Sequence, residues 1–195
     1  MSKIKVMSDL LANKIAAGEV VEKLVSVVKE LTENAIDAGS DEITIELTES
    51  GFREIKITDN GQGMDKDDLR LAFMRHATSK IYDDDDLFSI TTLGFRGEAL
   101  PSIAAVSDVE VKTSTNNDGH GYYLHIKGGK ILKEEDTASP KGTMFKITNL
   151  FYNTPARLKH LASSYSELAN IIDYINKIAL SYTNIRFKLI NDNIS

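Results

Sequence analysis

The segment Lys29–Ala38, with the sequence KELTENAIDA, carries the first residues whose types and spacing could do chemistry. On a helix, at about 100° per residue, Glu30, Asn34 and Asp37 fall within about 60° of one another. A carboxylate can act as a base toward water, and an amide oxygen can bind Mg²⁺, which prefers hard oxygen ligands. The same pattern is also typical of a solvated acidic helix face, because acidic residues are mostly exposed.

A second segment, Asp59–Met64, has the sequence DNGQGM. Its Asn-Gly pair favours a turn, but no clear hairpin partner follows it. Gly61 and Gly63 would let a ligand approach the backbone closely. Asp59 could accept a hydrogen bond from an exocyclic amine such as that of adenine, and Met64 could pack on a flat ring.

A third segment, Leu93–Leu100 (LGFRGEAL), places glycines before a helix predicted from Glu98 to Ala105. Free N–H groups at a helix N-terminus can bind an anion, although the Gly-Lys-Ser/Thr of a Walker A loop is missing. The preceding Arg75–Lys80 (RHATSK) offers hydroxyls and a lysine that could reach phosphates. It can equally be a polar helix end with basic residues against the dipole.

The elements that must position these segments follow from hydrophobic periodicity. A helix is predicted from Leu10 to Ala38 and ended by Gly39, and Ser164 with Glu167 forms a capping-box pattern at the start of another. Strands are predicted around Ile43–Leu47, Ile55–Ile57, Val109–Val111, Leu124–Ile126, Phe145–Ile147 and Ile185–Leu189. The strands are mostly hairpin-connected. The predicted fold class is therefore α+β, a two-layer α/β sandwich with a mixed, mostly antiparallel sheet and helices on one face.

Composition sets the outer limits. The chain has 195 residues, 42% hydrophobic and 27% charged, with a net charge of −6 and no cysteine. These values are typical of a globular domain and exclude disulfides and thiolate metal sites. No apolar run is long enough to span a membrane and none resembles a secretory signal, which fits a cytoplasmic protein. An acidic chain can still bind a nucleotide through backbone N–H groups and a cation.

Together, the motifs resemble one family. KELTENAIDAG, DNGQGM, RHATSK, LGFRGEAL, a Gly-Thr pair and LFYNTPAR occur in the order found in MutL-type mismatch repair proteins. These proteins share an ATPase class with gyrase, heat-shock chaperones and histidine kinases. The resemblance runs from about Leu10 to Leu189. IAAGEVV, RHATSK, GFRGEAL and FYNTPAR are its most specific parts.

The resemblance implies a role for each matching residue. Glu30 would be the general base that activates the attacking water, and Asn34 would bind Mg²⁺. Asp59 would read adenine, with Thr143 assisting through water. The other residues that the resemblance places around ATP are Asp37, Ala38, Gly61, Gly63, Met64, Thr78, Ser79, Lys80, Gly94, Phe95, Arg96, Gly97, Glu98, Ala99 and Leu100.

The resemblance also implies the wider function. Residues 1–195 would be one N-terminal ATPase domain of a longer protein, with the fold of this ATPase class and a lid at about 75–97. It would bind Mg·ATP, hydrolyse it slowly and couple mismatch recognition to strand cutting, with other mismatch repair proteins as partners. ATP would pair two copies through the arm before Ala17. Weak DNA contact is expected only at a basic patch of Arg157, Lys159 and His160.

Two departures from the family pattern bear on these expectations. Lys23-Leu24 stands where the family usually has Arg-Pro, so the start of the helix can shift. The second domain that supplies a lysine to the γ-phosphate lies outside the 195 residues, so nucleotide binding is better supported than hydrolysis. The alternatives are a nucleotide-binding scaffold without turnover and a gyrase-like topoisomerase ATPase. A histidine kinase fits least, since no phosphoacceptor helix is found.

Overall fold

A single sheet organises the molecule. The computed structural model describes residues 7, 17–18, 20–78, 93, 97–192 and 194. Within them, seven strands form the sheet. The strands are β1 (Glu42–Thr48), β2 (Glu54–Asp59), β3 (Asp108–Ser114), β4 (His120–Lys127), β5 (Lys130–Ala138), β6 (Gly142–Thr148) and β7 (Arg186–Asn191). Their order across the sheet is β5-β4-β3-β6-β2-β1-β7.

Five α-helices lie wholly within the described residues. They are α1 (Leu24–Asp37), α2 (Lys66–Leu71), α3 (Ala99–Ala105), α4 (Pro155–His160) and α5 (Ser164–Ser181). A short 3₁₀ turn, Glu49–Gly51, joins β1 to β2. The pairing of β1 with β7 is parallel and every other strand pair is antiparallel, so the predicted mixed, mostly antiparallel sheet is confirmed.

One face of the sheet is buried and the other is polar. Alternate residues of β1 and β2 are buried, as the period-2 pattern requires, and α1 and α5 pack on that side. The opposite face carries ion pairs such as Lys56–Glu46 (2.7 Å) and Lys146–Glu110 (3.0 Å). The two-layer arrangement with helices on one face is therefore as predicted.

The first helix was predicted as one continuous helix from Leu10, whereas the structure has a break before Leu24. Ala17 and Gly18 are helical, but the chain leaves the helix at Val21 and α1 begins at Leu24. Lys23 has extended backbone angles at the N-cap. The part of the prediction before Ala17 lies outside the described residues. The other end agrees with the sequence, because Gly39 has a φ of +73° just after the helix.

The start of α5 also differs by one residue from the capping-box prediction. Ser163, not Ser164, is the N-cap, and its side chain accepts a hydrogen bond from the N–H of Ser166. Glu167 does not close a capping box on Ser164. Its buried carboxylate accepts from the N–H of Ala162 (3.3 Å) and of Leu24 (3.2 Å), so it caps the first turn of α1 from another helix.

Strand β5 was not predicted. Its sequence, KILKEEDTA, has no apolar alternation, because it is an edge strand paired only with β4 and is mostly exposed. No helix in the described ranges has the length and apolar character that crossing a bilayer requires.

Candidate functional site

Asp59 is a buried carboxylate at the carboxyl end of β2, only 8% exposed. The N–H of Gly61 donates to its Oδ1 at 2.8 Å, and the hydroxyl of Ser40 lies 3.2 Å from the same atom. Burial raises the pKa of Asp59, while hydrogen bonds from Gly61, Ser40 and the backbone of Thr143 act in the opposite direction. The carboxylate is thus held in a defined position, where it can accept one further hydrogen bond from a ligand.

The loop after β2 packs against the end of α1. The N–H of Gln62 donates to the carbonyl oxygen of Ala38 at 3.0 Å. The side-chain oxygen of Asn60 accepts from the N–H groups of Asp41 (3.1 Å) and Glu42 (3.0 Å). The Asn-Gly pair is therefore part of a loop that joins β2 to the helix layer, and it does not form a hairpin turn.

The glycines of this loop are required by neighbouring protein atoms. A Cβ on Gly61 would meet Ser40 Oγ at 2.7 Å and the carbonyl oxygen of Ala38 at 2.8 Å. Gly63 has a φ of +69°, and a Cβ there would collide with the carbonyl group of Ser114. Protein packing therefore requires glycine at both positions, and the predicted close approach of a ligand to them stays a prediction.

Thr143 lies directly across from Asp59 in the β2–β6 pairing. Its hydroxyl is 3.0 Å from that of Thr113, which also accepts a hydrogen bond from the N–H of Met64 at 2.9 Å. Both threonines are buried, and Met64 is half-buried at the edge of the core. The structure therefore brings together the predicted residues Asp59, Gly61, Met64 and Thr143 in one hydrogen-bonded polar cluster at the end of β2.

The acidic face of α1 carries the second group of predicted residues. Glu30, Asn34 and Asp37 are half-buried. Glu33, which the sequence analysis did not single out, is more buried than any of them, with a side-chain exposure of 10%. Burial raises the pKa of Glu33, and the nearby Lys29 opposes that shift. α1 thus carries a half-buried carboxylate and a half-buried amide, and Ser40 links the last turns of the same helix to Asp59.

Of the segment predicted as a lid, residues 79–92 and 94–96 lie outside the described residues, and its described residues contact α3 and α1. The N–H of His76 donates to the carbonyl oxygen of Gly97 at 3.2 Å, and Arg75 Nη2 lies 3.4 Å from Glu98 Oε1. The N–H of Leu93 donates to Asp37 Oδ1 at 3.2 Å, which connects the segment to α1.

The structure describes only some of the remaining residues predicted for the lid and the phosphate loop. Thr78 is half-buried, and Ala99 and Leu100 form the first turn of α3, one residue after the predicted start. Five predicted site residues lie outside the described part of the chain, namely Ser79, Lys80, Gly94, Phe95 and Arg96.

The predicted basic patch on α4 is smaller than its sequence suggests. Arg157 packs its guanidinium group against Gly18, and its Nη1 is buried without a hydrogen-bond acceptor. Lys159 and His160 are exposed. A surface contact with nucleic acid could therefore use Lys159 and His160 but not the buried side of Arg157.

Three residues of this site were missed by sequence reasoning. Ser40 and Thr113 are single hydroxyls with no local pattern, and their partners lie far away in sequence, so only the fold reveals them. Glu33 could have been found, because it lies four residues after Lys29 on the same helix.

The polar cluster around Asp59 can bind a ligand through hydrogen bonds. A buried carboxylate and a pair of hydroxyls provide hydrogen-bonding groups of the kind that orient a ligand. Asn34 offers one hard oxygen for Mg²⁺, which usually takes few protein ligands and completes its shell with water and phosphate. Among the described residues no cluster of three or more acidic, histidine or cysteine side chains could hold a metal alone.

Comparison with known sequences gives a consistent result. The family described as "Histidine kinase-, DNA gyrase B-, and HSP90-like ATPase" matches residues 22–154. The DNA mismatch repair protein MutL of Streptococcus agalactiae is 58% identical over 192 residues, which is 98% of this chain and 29% of that protein. MutL of a Geobacillus species is 57% identical over 97% of this chain and 30% of its own length. The chain thus spans less than a third of these relatives.

Solved structures agree with the sequence comparison. The crystal structure of the N-terminal domain of a DNA repair protein superposes with a TM-score of 0.79 at 30% identity, covering 92% of this chain and 52% of that one. The Aquifex aeolicus MutL ATPase domain complexed with ADP superposes with a TM-score of 0.70 at 27% identity. That match covers 90% of this chain and 62% of the other.

Proposed function

This chain belongs to the histidine kinase-, DNA gyrase B- and HSP90-like ATPase family, and on that premise we propose that it is the ATP-binding, slowly hydrolysing switch domain of a MutL-type mismatch repair protein. One observation carries the proposal. A buried carboxylate, Asp59, lies beside a helix that carries Glu30 and Asn34, and Ser40 joins the two. We further propose that residues 1–195 form one domain with its lid at about 75–97.

Asp59 would read the adenine of ATP. An ionised carboxylate can accept a hydrogen bond from the exocyclic amine, and Thr143, which pairs with Asp59 across β2 and β6, would assist through a water molecule. Gly61, Gly63, Met64, Asp37 and Ala38 would line the same pocket. The hydrogen bonds between Asp59 and Gly61 and between Met64 and Thr113 support this proposal, because they hold these groups in place at one end of the sheet.

Glu30 would be the catalytic residue. Its carboxylate oxygen would take a proton from a water molecule as the water oxygen attacks the γ-phosphorus, and the bridging oxygen would leave with ADP. Asn34 would hold Mg²⁺ through its side-chain oxygen, and the bound ion would supply positive charge to the phosphates. Both residues lie on the same half-buried face of α1, one turn apart.

The lid would enclose the phosphates. The residues that we propose for this role are Thr78, Ser79, Lys80, Gly94, Phe95, Arg96, Gly97, Glu98, Ala99 and Leu100. Support comes from the described ends of the segment, which are held together by the Arg75–Glu98 ion pair and the hydrogen bond from His76 to Gly97. A lid of this kind can order when nucleotide binds and so change the surface offered to partners.

The wider role would be conformational signalling between mismatch recognition and strand processing. We propose that ATP pairs two copies of the domain in the whole protein, that other mismatch repair proteins read the closed state, and that any DNA contact of α4 uses Lys159 and His160. We also propose a cytoplasmic location. Each of these statements concerns a whole MutL-type protein, whereas this chain matches 29% of the length of such a relative.

The proposal is tested by measuring ATP hydrolysis and nucleotide affinity of the intact protein, in the wild type and with Glu30→Ala. Removing a general base should lower kcat at least about a hundredfold and leave the nucleotide Kd within about threefold. Glu46→Ala, on the polar face of the sheet, is the matched control and should behave as the wild type. A wild type that binds ATP without any turnover would favour a scaffold and overturn the enzyme proposal.

A further inference from the structure

Lys29 lies between two carboxylates on α1. Its Nζ is 3.6 Å from Glu30 Oε1 and donates a hydrogen bond to Glu33 Oε2 at 3.3 Å. The three side chains differ in exposure, at 50% for Lys29, 24% for Glu30 and 10% for Glu33. The ammonium group thus bridges a nearly buried acid and the more accessible acid proposed as the general base.

The buried side of this bridge is fixed by packing. Glu33 is buried on α1, which packs against α5, and Tyr174 of α5 lies near both Glu33 and Glu30. The hydroxyl of Tyr174 donates to the carbonyl oxygen of Lys29 at 3.4 Å. Both the backbone and the ammonium of Lys29 therefore have partners that restrict their movement.

We propose that Lys29 is a positioning residue for ATP hydrolysis: anchored by Glu33, its ammonium holds the carboxylate of Glu30 in the orientation that faces the attacking water. The oxygen of a general base must lie within about 2.6–3.2 Å of the water oxygen whose proton it takes, so a rotated carboxylate is ineffective. Lys29 would contact neither the nucleotide nor the attacking water and would act through Glu30. The inference rests on the proposed function, because it presupposes that Glu30 is the base.

The exposure of the Lys29–Glu30 ion pair indicates how a substitution of Lys29 should affect stability and turnover. A half-exposed ion pair contributes little to stability, so the fold should not depend on it. Misplacing a catalytic group, in contrast, lowers turnover by about ten- to a hundredfold. Lys29→Met in the intact protein should therefore lower kcat about tenfold while KM and the Kd for a non-hydrolysable ATP analogue stay within about twofold.

Three further variants separate positioning from a general structural role. Lys29→Arg keeps the charge and should recover kcat to within about threefold of the wild type. Glu33→Gln weakens the anchor and should lower kcat about threefold without changing KM. Lys56→Met removes a lysine that pairs with Glu46 on the polar face of the sheet and should leave all constants unchanged.

The outcomes distinguish this inference from the proposed function. If the wild type hydrolyses ATP and Glu30→Ala abolishes turnover, but Lys29→Met keeps the wild-type kcat, only the positioning role is overturned. It is equally overturned if Lys29→Met raises the nucleotide Kd by the same factor as it lowers kcat, or if Lys29→Arg gives no recovery. If Lys29→Met does not fold, Lys29→Arg and Glu33→Gln decide the question by the same measurements. A wild type without turnover overturns both proposals.

Discussion

The hydroxyl of Ser40 lies 3.2 Å from Oδ1 of Asp59 and 2.6 Å from the carbonyl oxygen of Ala35, so one small side chain joins the end of β2 to the last turns of α1. Ser40 is buried, with an exposure of 4%. The pocket carboxylate and the helix that carries Glu30 are therefore linked directly, and a disturbance of one is expected to reach the other.

Ser40→Ala should weaken both stability and nucleotide binding. The change leaves a buried carboxylate short of one partner, which costs about 1 to 3 kcal/mol in the free energy of unfolding. Loss of orientation at Asp59 should raise the Kd for an ATP analogue severalfold. Urea unfolding and calorimetric titration check the two effects. Ser181→Ala, which removes an exposed hydroxyl–carbonyl bond on α5, is the control and should change neither quantity.

Gly63→Ala should destabilise the folded protein by about 2 to 4 kcal/mol, because it adds a collision with Ser114 to the strain of a positive φ. Gly119→Ala is the matched control. Its φ is +84° but nothing lies within 4 Å of the added carbon, so it should cost only the backbone strain, about 1 to 2 kcal/mol. Chemical unfolding measures both, and equal losses would mean that close packing at Gly63 is unimportant.

The pH dependence of stability should reveal the buried state of Asp59. Burial raises its pKa above the ordinary value of 3.8, so the folded protein gives up this proton at a higher pH than the unfolded chain. The group favours the folded state fully below pH 3.8, and this contribution is lost as the pH rises through the folded-state pKa. Asp59→Asn removes the titration. Its stability relative to the wild type should therefore increase with pH and then level off.

Urea unfolding of the two proteins from about pH 4 to about pH 7, without nucleotide, measures that difference. Asp173→Asn, at an exposed aspartate on α5, is the control. A stability difference between Asp59→Asn and wild type that stays constant over the range would show that Asp59 has no raised pKa.

Glu167→Gln should lower the free energy of unfolding by about 1 to 3 kcal/mol, since a buried carboxylate that accepts two backbone N–H groups becomes an amide that can satisfy fewer of them. Glu46→Gln, in an ion pair on the polar sheet face, should cost less than about 1 kcal/mol. Thermal and urea unfolding check this prediction. Similar losses for the two variants would indicate that Glu167 does not cap α1.

The sequence predicts the sheet well wherever burial imposes a pattern. Strands with one buried face, such as β1 and β2, alternate in hydrophobicity and were found with their partners. The exposed edge strand β5 has no such constraint and was missed. The break before Leu24 was also missed, because its capping group, Glu167, comes from a helix 143 residues later and leaves no local trace.

The residues of the candidate site also differ in whether a local sequence pattern predicts them. Residues in contiguous motifs, such as Asp59 and Gly61 or Glu30 and Asn34, can be selected from the sequence because their spacing carries a meaning. Ser40 and Thr113 are recognisable only when distant strands meet, since a lone hydroxyl has no periodicity or motif of its own. The part of the phosphate loop at residues 94–96 remains a prediction.

Calorimetric titration of an ATP analogue with Mg²⁺ into this chain tests the central claim most directly. The wild type should show saturable binding, and Asp59→Asn should weaken it at least about tenfold, because a charged hydrogen-bond acceptor for adenine is lost. Asp173→Asn should bind as the wild type does. Unchanged affinity in folded Asp59→Asn, or no binding to the folded wild type, would contradict the assignment of the pocket.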